Sequence, residues 1–223
     1  MSRISGGPVP PRSFDDLDGV NGFRVVGGRS ASAEGDLNGD GFDDLVALAS
    51  GGSFVLFGKT GGFGAAVGPD DVAARGCGFL LNTGGPISTG GDVNGDGIDD
   101  LLSGGAIGGH VLFGRTGGFG AAVDLDHLAA DEGFKILGQT EGPEDPAYPA
   151  HGSVGHSVAL LGDLNGEGFD DMLLGAPRHV ETGGPMNTED FEGAAYVIFG
   201  RASFGAAVAR QFGQRASPPK CGR

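Results

Sequence analysis

Asp92-Val93-Asn94-Gly95-Asp96-Gly97-Ile98-Asp99-Asp100-Leu101 is the stretch on which the reading of this chain turns. Side-chain oxygens fall at its positions 1, 3, 5 and 9, with Gly at 4 and 6. Alternate residues of a tightly curled loop point inward. Asp92, Asn94 and Asp96 therefore converge, Ile98 offers its backbone carbonyl, and Asp100 closes the far side. That set suits a hard cation such as Ca²⁺, which takes six to eight oxygen ligands at roughly 2.3–2.6 Å. The glycines permit the backbone angles of the curl.

The stretch recurs as Asp36-Leu37-Asn38-Gly39-Asp40-Gly41-Phe42-Asp43-Asp44-Leu45 and as Asp163-Leu164-Asn165-Gly166-Glu167-Gly168-Phe169-Asp170-Asp171-Met172. One copy alone reads as an ordinary turn of an acidic protein. Three copies with the same offsets point to a bound cation, up to three Ca²⁺ per chain. An EF-hand is excluded, because its position 12 is a bidentate Glu and here it is Ala47, Ser103 and Leu174. The flanks also lack helical periodicity.

Working outward, short apolar runs bounded by Gly flank each loop and read as strands. One enters it, clearest as 156–161. A second leaves it at 45–48, 101–103 and 172–174. A third ends in Phe-Gly at 54–58, 110–114 and 195–200. A linker containing Phe-Gly-Ala-Ala-Val follows at 63–67, 119–123 and 204–208, and then a fourth strand at 78–81 and 133–137. Four strands in a unit of roughly 55 residues is the signature of a propeller blade. The expected fold is all-β, with three four-stranded blades in a partial or oligomer-completed propeller. The expected layout is a disordered leader 1–15, a fourth-type strand within 16–29, blades 30–83, 84–139 and 140–208, and a disordered basic tail 209–223.

The Phe-Gly ends, the D-x-N-G-D-G-x-D-D-L loops and Gly175-Ala176-Pro177 resemble the FG-GAP repeats of integrin α-type β-propellers, which bacterial relatives also carry. The resemblance covers about residues 20–208. It departs where Gly-Ala-Pro survives only in the third unit. It implies Ca²⁺ bound by Asp36, Asn38, Asp40, the Phe42 carbonyl and Asp44 in the first loop, and by Asp92, Asn94, Asp96, the Ile98 carbonyl and Asp100 in the second. In the third the set is Asp163, Asn165, Glu167, the Phe169 carbonyl and Asp171. Asp43, Asp99 and Asp170, out of phase, read as turn-stabilising or as supporting the ligands. The resemblance further implies adhesion or recognition of a protein or glycan, at the cell surface or outside the cell.

Composition narrows the alternatives. A net charge of −15 argues against nucleic acid as a partner. No apolar run is long enough to span a membrane, and the start lacks the apolar core of a secretory signal. Gly155-His156-Ser157-Val158-Ala159 approaches a nucleophile elbow, but Ser157 lies within a strand-like run and Ala stands at the last Gly. The five histidines show no zinc spacing. His110 and His156, on strand-like runs, are expected to be partly buried. The chain therefore reads as non-catalytic, with a non-catalytic portion of a larger secreted hydrolase or adhesin as the alternative. Two long insertions of the third unit, 141–152 and 178–193, are the candidate ligand-binding loops. Tyr148, His151, Arg178, His179, Glu189 and Asp190 are their candidate contacts.

Closure is the open question. The third unit has no fourth strand before its pattern fails, while Asn21–Val26 matches the fourth-strand pattern and belongs to no complete unit. Three blades fall below the usual four to eight. The expectation is a fragment of a longer propeller, or a two-fold dimer in which Asn21–Val26 of one copy completes the third blade of the other.

Overall fold

The computed structural model describes residues 13–105, 108–138, 154–177 and 193–204, and of residues 33–34 and 207–209 the backbone alone. Three antiparallel sheets follow one another along the chain. The first holds β2 (Gly28–Gly35), β3 (Asp44–Ala49), β4 (Gly52–Leu56) and β6 (Gly78–Leu81). The second holds β7 (Ile87–Gly91), β8 (Asp100–Gly104), β9 (Gly108–Leu112) and β11 (Gly133–Leu137). The third has β12 (Ser157–Leu160), β13 (Met172–Ala176) and β14 (Ala194–Ile198). These are propeller-blade sheets in an open series. The first strands β2, β7 and β12 pack side by side.

The linkers do more than connect. Each contributes a short strand that pairs in parallel with the last strand of the sheet before it. β10 (Ala122–Val123) joins β6 and β15 (Ala207–Ala209) joins β11, and β5 (Ala66–Val67) joins β1 (Arg24–Val25). Arg24 faces Ala66 as Leu80 faces Ala122 and Lys135 faces Ala207. The strand read at Asn21–Val26 thus stands to the first sheet as β6 stands to the second. Within one chain it does not pair with β14. The leader expected over 1–15 gives way by Ser13 to a 3-10 turn, Phe14–Asp16, in which the Ser13 and Asp16 side chains cap each other's backbone. Residues 210–223 lie outside the described residues, and Ala209 belongs to β15. A short helix, α1 (Pro69–Arg75), was not expected. It begins with Pro and ends at Gly76 in the left-handed conformation, the usual asymmetry of helix ends.

Because side chains alternate across a strand, the two faces of the second sheet serve two different seams. Val46, Val55 and Phe79 of the first sheet meet Leu101, Leu112 and Phe119 of the second unit. The opposite face of the second sheet, Leu102, Val111 and Phe134, meets Met172, Leu174 and Phe204 of the third. Most are fully buried, and burying each such side chain contributes about 1.5–3 kcal/mol. A stacked aromatic pair marks each seam, Phe79 on Phe119 at 4.4 Å and Phe134 on Phe204 at 4.1 Å. Arg115 and Arg201 each lie 4.8 Å over the outer ring. Phe23, Phe63 and Lys59 repeat the trio at the leading end, at 4.6 and 5.1 Å but with the two rings tilted by 38°.

Candidate metal loops

The three acidic stretches fold alike, as tight turns between the first and second strand of each sheet. In the second loop Asp92 Oδ1 accepts the N–H groups of Gly95 and Asp96, and Oδ2 that of Gly97. Asn94 Oδ1 also accepts Asp96 N–H, and Asp96 Oδ1 that of Ile98. The first loop repeats this through Asp36, Asn38 and Asp40, with Phe42 N–H the last donor. The third repeats it through Asp163 and Asn165. Among the described residues Glu167 lacks the bond to the N–H of Phe169 that its Asp counterparts make to Phe42 and Ile98. Its side chain is one methylene longer than those of Asp40 and Asp96. N–H groups of Gly168, Gly166 and Glu167 hold the Asp163 carboxyl below its usual pKa.

Position 9 is the anchor. Asp44, Asp100 and Asp171 are 0–1% exposed. Each accepts the N–H of position 2 (Leu37, Val93, Leu164) on one oxygen and the Phe-Gly glycine (Gly58, Gly114, Gly200) on the other. Burial pushes the Asp44 carboxyl up to about 6 and that of Asp100 up to about 8, with neighbouring loop aspartates adding to the rise against these backbone bonds. This anchor explains the Phe-Gly motif. The glycine donates to the loop carboxylate instead of a ladder, so the third strands end at Leu56, Leu112 and Ile198, before the Phe-Gly pair expected within them. A β-carbon at Gly58, Gly114 or Gly200 would lie 2.2–2.4 Å from the carbonyl oxygen of position 8, too close to fit.

Position 8 acts across the seam. Asp99 Oδ2 accepts the N–H of Asp36 at 2.9 Å, and Asp170 Oδ2 that of Asp92 at 3.0 Å. Each of these two aspartates thus caps the loop of the preceding unit. Arg115 and Arg201 add backbone bonds to the carbonyls of Leu37 and Val93.

Of the residues expected to hold metal, Asp44, Asp100 and Asp171 are buried, and Asp40, Asp96, Asp163, Asn165 and Glu167 are exposed. The Phe42 side chain is exposed too, while Asp36, Asn38, Asp92, Asn94, Ile98 and Phe169 are half-buried. Among the described residues no three His, Cys, Asp or Glu side chains are gathered into a finished metal cage. The donors within each loop are nonetheless all oxygen, including a desolvated carboxylate, which fits Ca²⁺ and not a thiolate- or imidazole-seeking ion. The positions that sequence reasoning missed are the Phe-Gly glycines and the cross-seam role of position 8.

The six candidate ligand contacts, Tyr148, His151, Arg178, His179, Glu189 and Asp190, lie outside the described residues. Ser157 opens β12 with no helix after it, so the elbow geometry is not formed. His156 is exposed rather than partly buried, whereas His110 on β9 is half-buried beside Asp126. No helix among the described residues is long and apolar enough to cross a membrane.

An all-β series of propeller-blade sheets with an acidic loop at each unit is the class that this geometry defines. No protein-family model matches the chain. It is similar to integrin alpha-4 of Xenopus laevis, 31% identical over 137 residues, which is 59% of this chain and 11% of that protein. Integrin alpha-5 of the same species is 33% identical over 94 residues, 39% of this chain and 8% of that protein. Integrin alpha-3 of Cricetulus griseus is 34% identical over 90 residues, 39% of this chain and 7% of that protein. The chain spans roughly a tenth or less of the length of these curated relatives. The similarity places it beside the integrin α subunits in the repeat it carries.

Proposed function

We propose that the chain is a non-catalytic, Ca²⁺-binding β-propeller module that recognises a protein or glycan in adhesion, at the cell surface or outside the cell. The likeness to integrin α subunits supports this reading. The observation that carries it is the recurrence of one oxygen-lined turn three times, each tied to a buried carboxylate (Asp44, Asp100 or Asp171). Asp36, Asn38, Asp40, Asp44 and the Phe42 carbonyl would hold one ion, with the corresponding residues of the other loops holding two more. The ion supplies positive charge where several carboxylates crowd one turn. Recognition would fall to the insertions of the third unit, 141–152 and 178–193.

A thermal melt tests the metal. A ligand that binds only the native state stabilises it by RT ln(1 + [L]/Kd), about 2.7 kcal/mol per site at a hundredfold excess over Kd. The melting temperature falls on chelation and recovers with Ca²⁺ but not with equimolar Mg²⁺, which demands a tighter octahedral shell. A melt indifferent to EDTA sinks the proposal. A glycan array probed with and without Ca²⁺ tests the ligand class.

A further inference from the structure

The two seams inside the chain follow one plan, and each end of the described sheets carries half of that plan unmatched. At the trailing end Leu164 is 65% exposed, where its counterparts Leu37 and Val93 are fully buried. Val197 is 38% exposed against 0% for Val55 and Val111, and Phe199 is 51% exposed against 8% for Phe113. Ile98 stands over Gly39 and Phe169 over Gly95, but nothing approaches the equivalent Gly166. β14 pairs on one side only among the described strands.

The leading end holds the matching half. The carboxylate of Asp43 accepts no N–H among the described residues, whereas Asp99 and Asp170 each cap the preceding loop. Phe42, the counterpart of Ile98 and Phe169, is 41% exposed. Gly22 has φ +150°, the conformation of Gly78 at +159° and Gly133 at +155°. At Gly78 and Gly133 a β-carbon would strike the carbonyl oxygen of Val55 or Val111 on the neighbouring third strand, at 1.9 and 2.0 Å. At Gly22 only the Leu17 side chain is near. Gly22 is shaped for a third strand that the described residues do not place beside it.

We propose that a second copy of this chain supplies that strand, its trailing end seating the leading end of the first. β1 of one copy becomes the fourth strand on β14 of the other. The register follows from the two internal sheets, in which Gly78 faces Leu56 and Phe79 faces Val55, and Gly133 faces Leu112 and Phe134 faces Val111. By that rule Gly22 faces Ile198, Phe23 faces Val197, Arg24 faces Tyr196 and Val25 faces Ala195. Asp43 then accepts the N–H of Asp163, and Leu164 is covered as Leu37 and Val93 are. The occupant is a second copy because the chain itself carries both halves of a contact that it already makes twice internally. Two copies of three sheets give a six-bladed ring, within the usual range of about four to eight. Both ends of the described sheets in both copies are then covered, a two-fold assembly. None of this requires the cation.

Cross-linking reads the register directly. In a Cys77→Ser, Cys221→Ser background, one preparation carries Arg24→Cys and another Tyr196→Cys. Mixed and oxidised, the two give a disulfide-linked dimer, and neither gives one alone. Light scattering of the unaltered protein gives twice the 22.2 kDa chain mass. Leu164→Asp, a change at a position exposed within one copy, weakens association by about a hundredfold or more and leaves the β-sheet circular dichroism unchanged. Folded protein that stays at the chain mass overturns the proposal. So does an open-ended polymer, or a dimer indifferent to Leu164→Asp that yields no mixed cross-link.

Discussion

The second and third acidic loops share a motif but not an environment. Val93 in the second is walled in by the next unit, whereas Leu164 in the third is largely exposed. The N–H of Asp92 is capped by Asp170 from the following unit, and among the described residues the N–H of Asp163 has no such cap. Yet both loops keep the same bonds to the position-1 Asp and position-3 Asn, and the same bonds to a buried position-9 Asp. The difference teaches that the turn is a local property of ten residues, while its burial comes from a neighbour.

The largest expected effect lies in the aromatic stack. Phe134→Ala removes a 1% exposed ring stacked on Phe204, and it is expected to cost about 3–5 kcal/mol in denaturant unfolding. Phe199→Ala at the open end is expected to cost under about 0.5 kcal/mol in dilute protein, with the cost growing as protein concentration rises and copies associate. Equal losses at all concentrations would show that the trailing end is already covered.

The cap across the seam comes next. Asp99→Ala leaves the Asp36 N–H without its charged acceptor, at an expected cost of about 1.5–3 kcal/mol. Asp43→Ala, with nothing to cap in its own chain, is expected to change dilute-protein stability by less than about 0.5 kcal/mol. A double-mutant cycle pairing Asp99→Ala with a change in the second seam, Asp170→Ala, is expected to be additive within about 0.5 kcal/mol, because the two caps share no partner. Strong coupling would mean that the seams do not act separately.

Glu167→Asp sharpens the comparison most gently. It restores the shorter carboxylate at position 5 of the third loop, and a rise in Ca²⁺ affinity confined to that loop is expected. A looser site after the change would refute the expectation that Glu167 makes the third loop the weakest of the three.

Much of the fold was legible because its signals are local. Strands β6 and β11 match the apolar runs at 78–81 and 133–137, and β1 falls within Asn21–Val26, the run that matched their pattern. What escaped depends on partners far along the chain. Asp99 caps a residue 63 positions away and Asp170 one 78 away, so position 8 looked like part of its own turn. The Ala-Val pairs of β5 and β10 are two residues long and form only against another unit's strand. The third strands stop early because a carboxylate takes the Phe-Gly N–H, a competition that no propensity encodes. Helix α1 carried readable punctuation, with Pro69 and two acids at its start and Gly76 at its end, but it is only seven residues long and sits inside a linker.

An equilibrium Ca²⁺ titration of EDTA-treated, dialysed protein, by calorimetry, asks directly whether the three loops bind metal. Saturable binding approaching three ions per chain is expected, one for each acidic loop. The third-loop site should be the weakest, and it alone should be lost in Asp163→Ala. Absence of saturable binding, or three equivalent sites that ignore Asp163→Ala, would contradict the account.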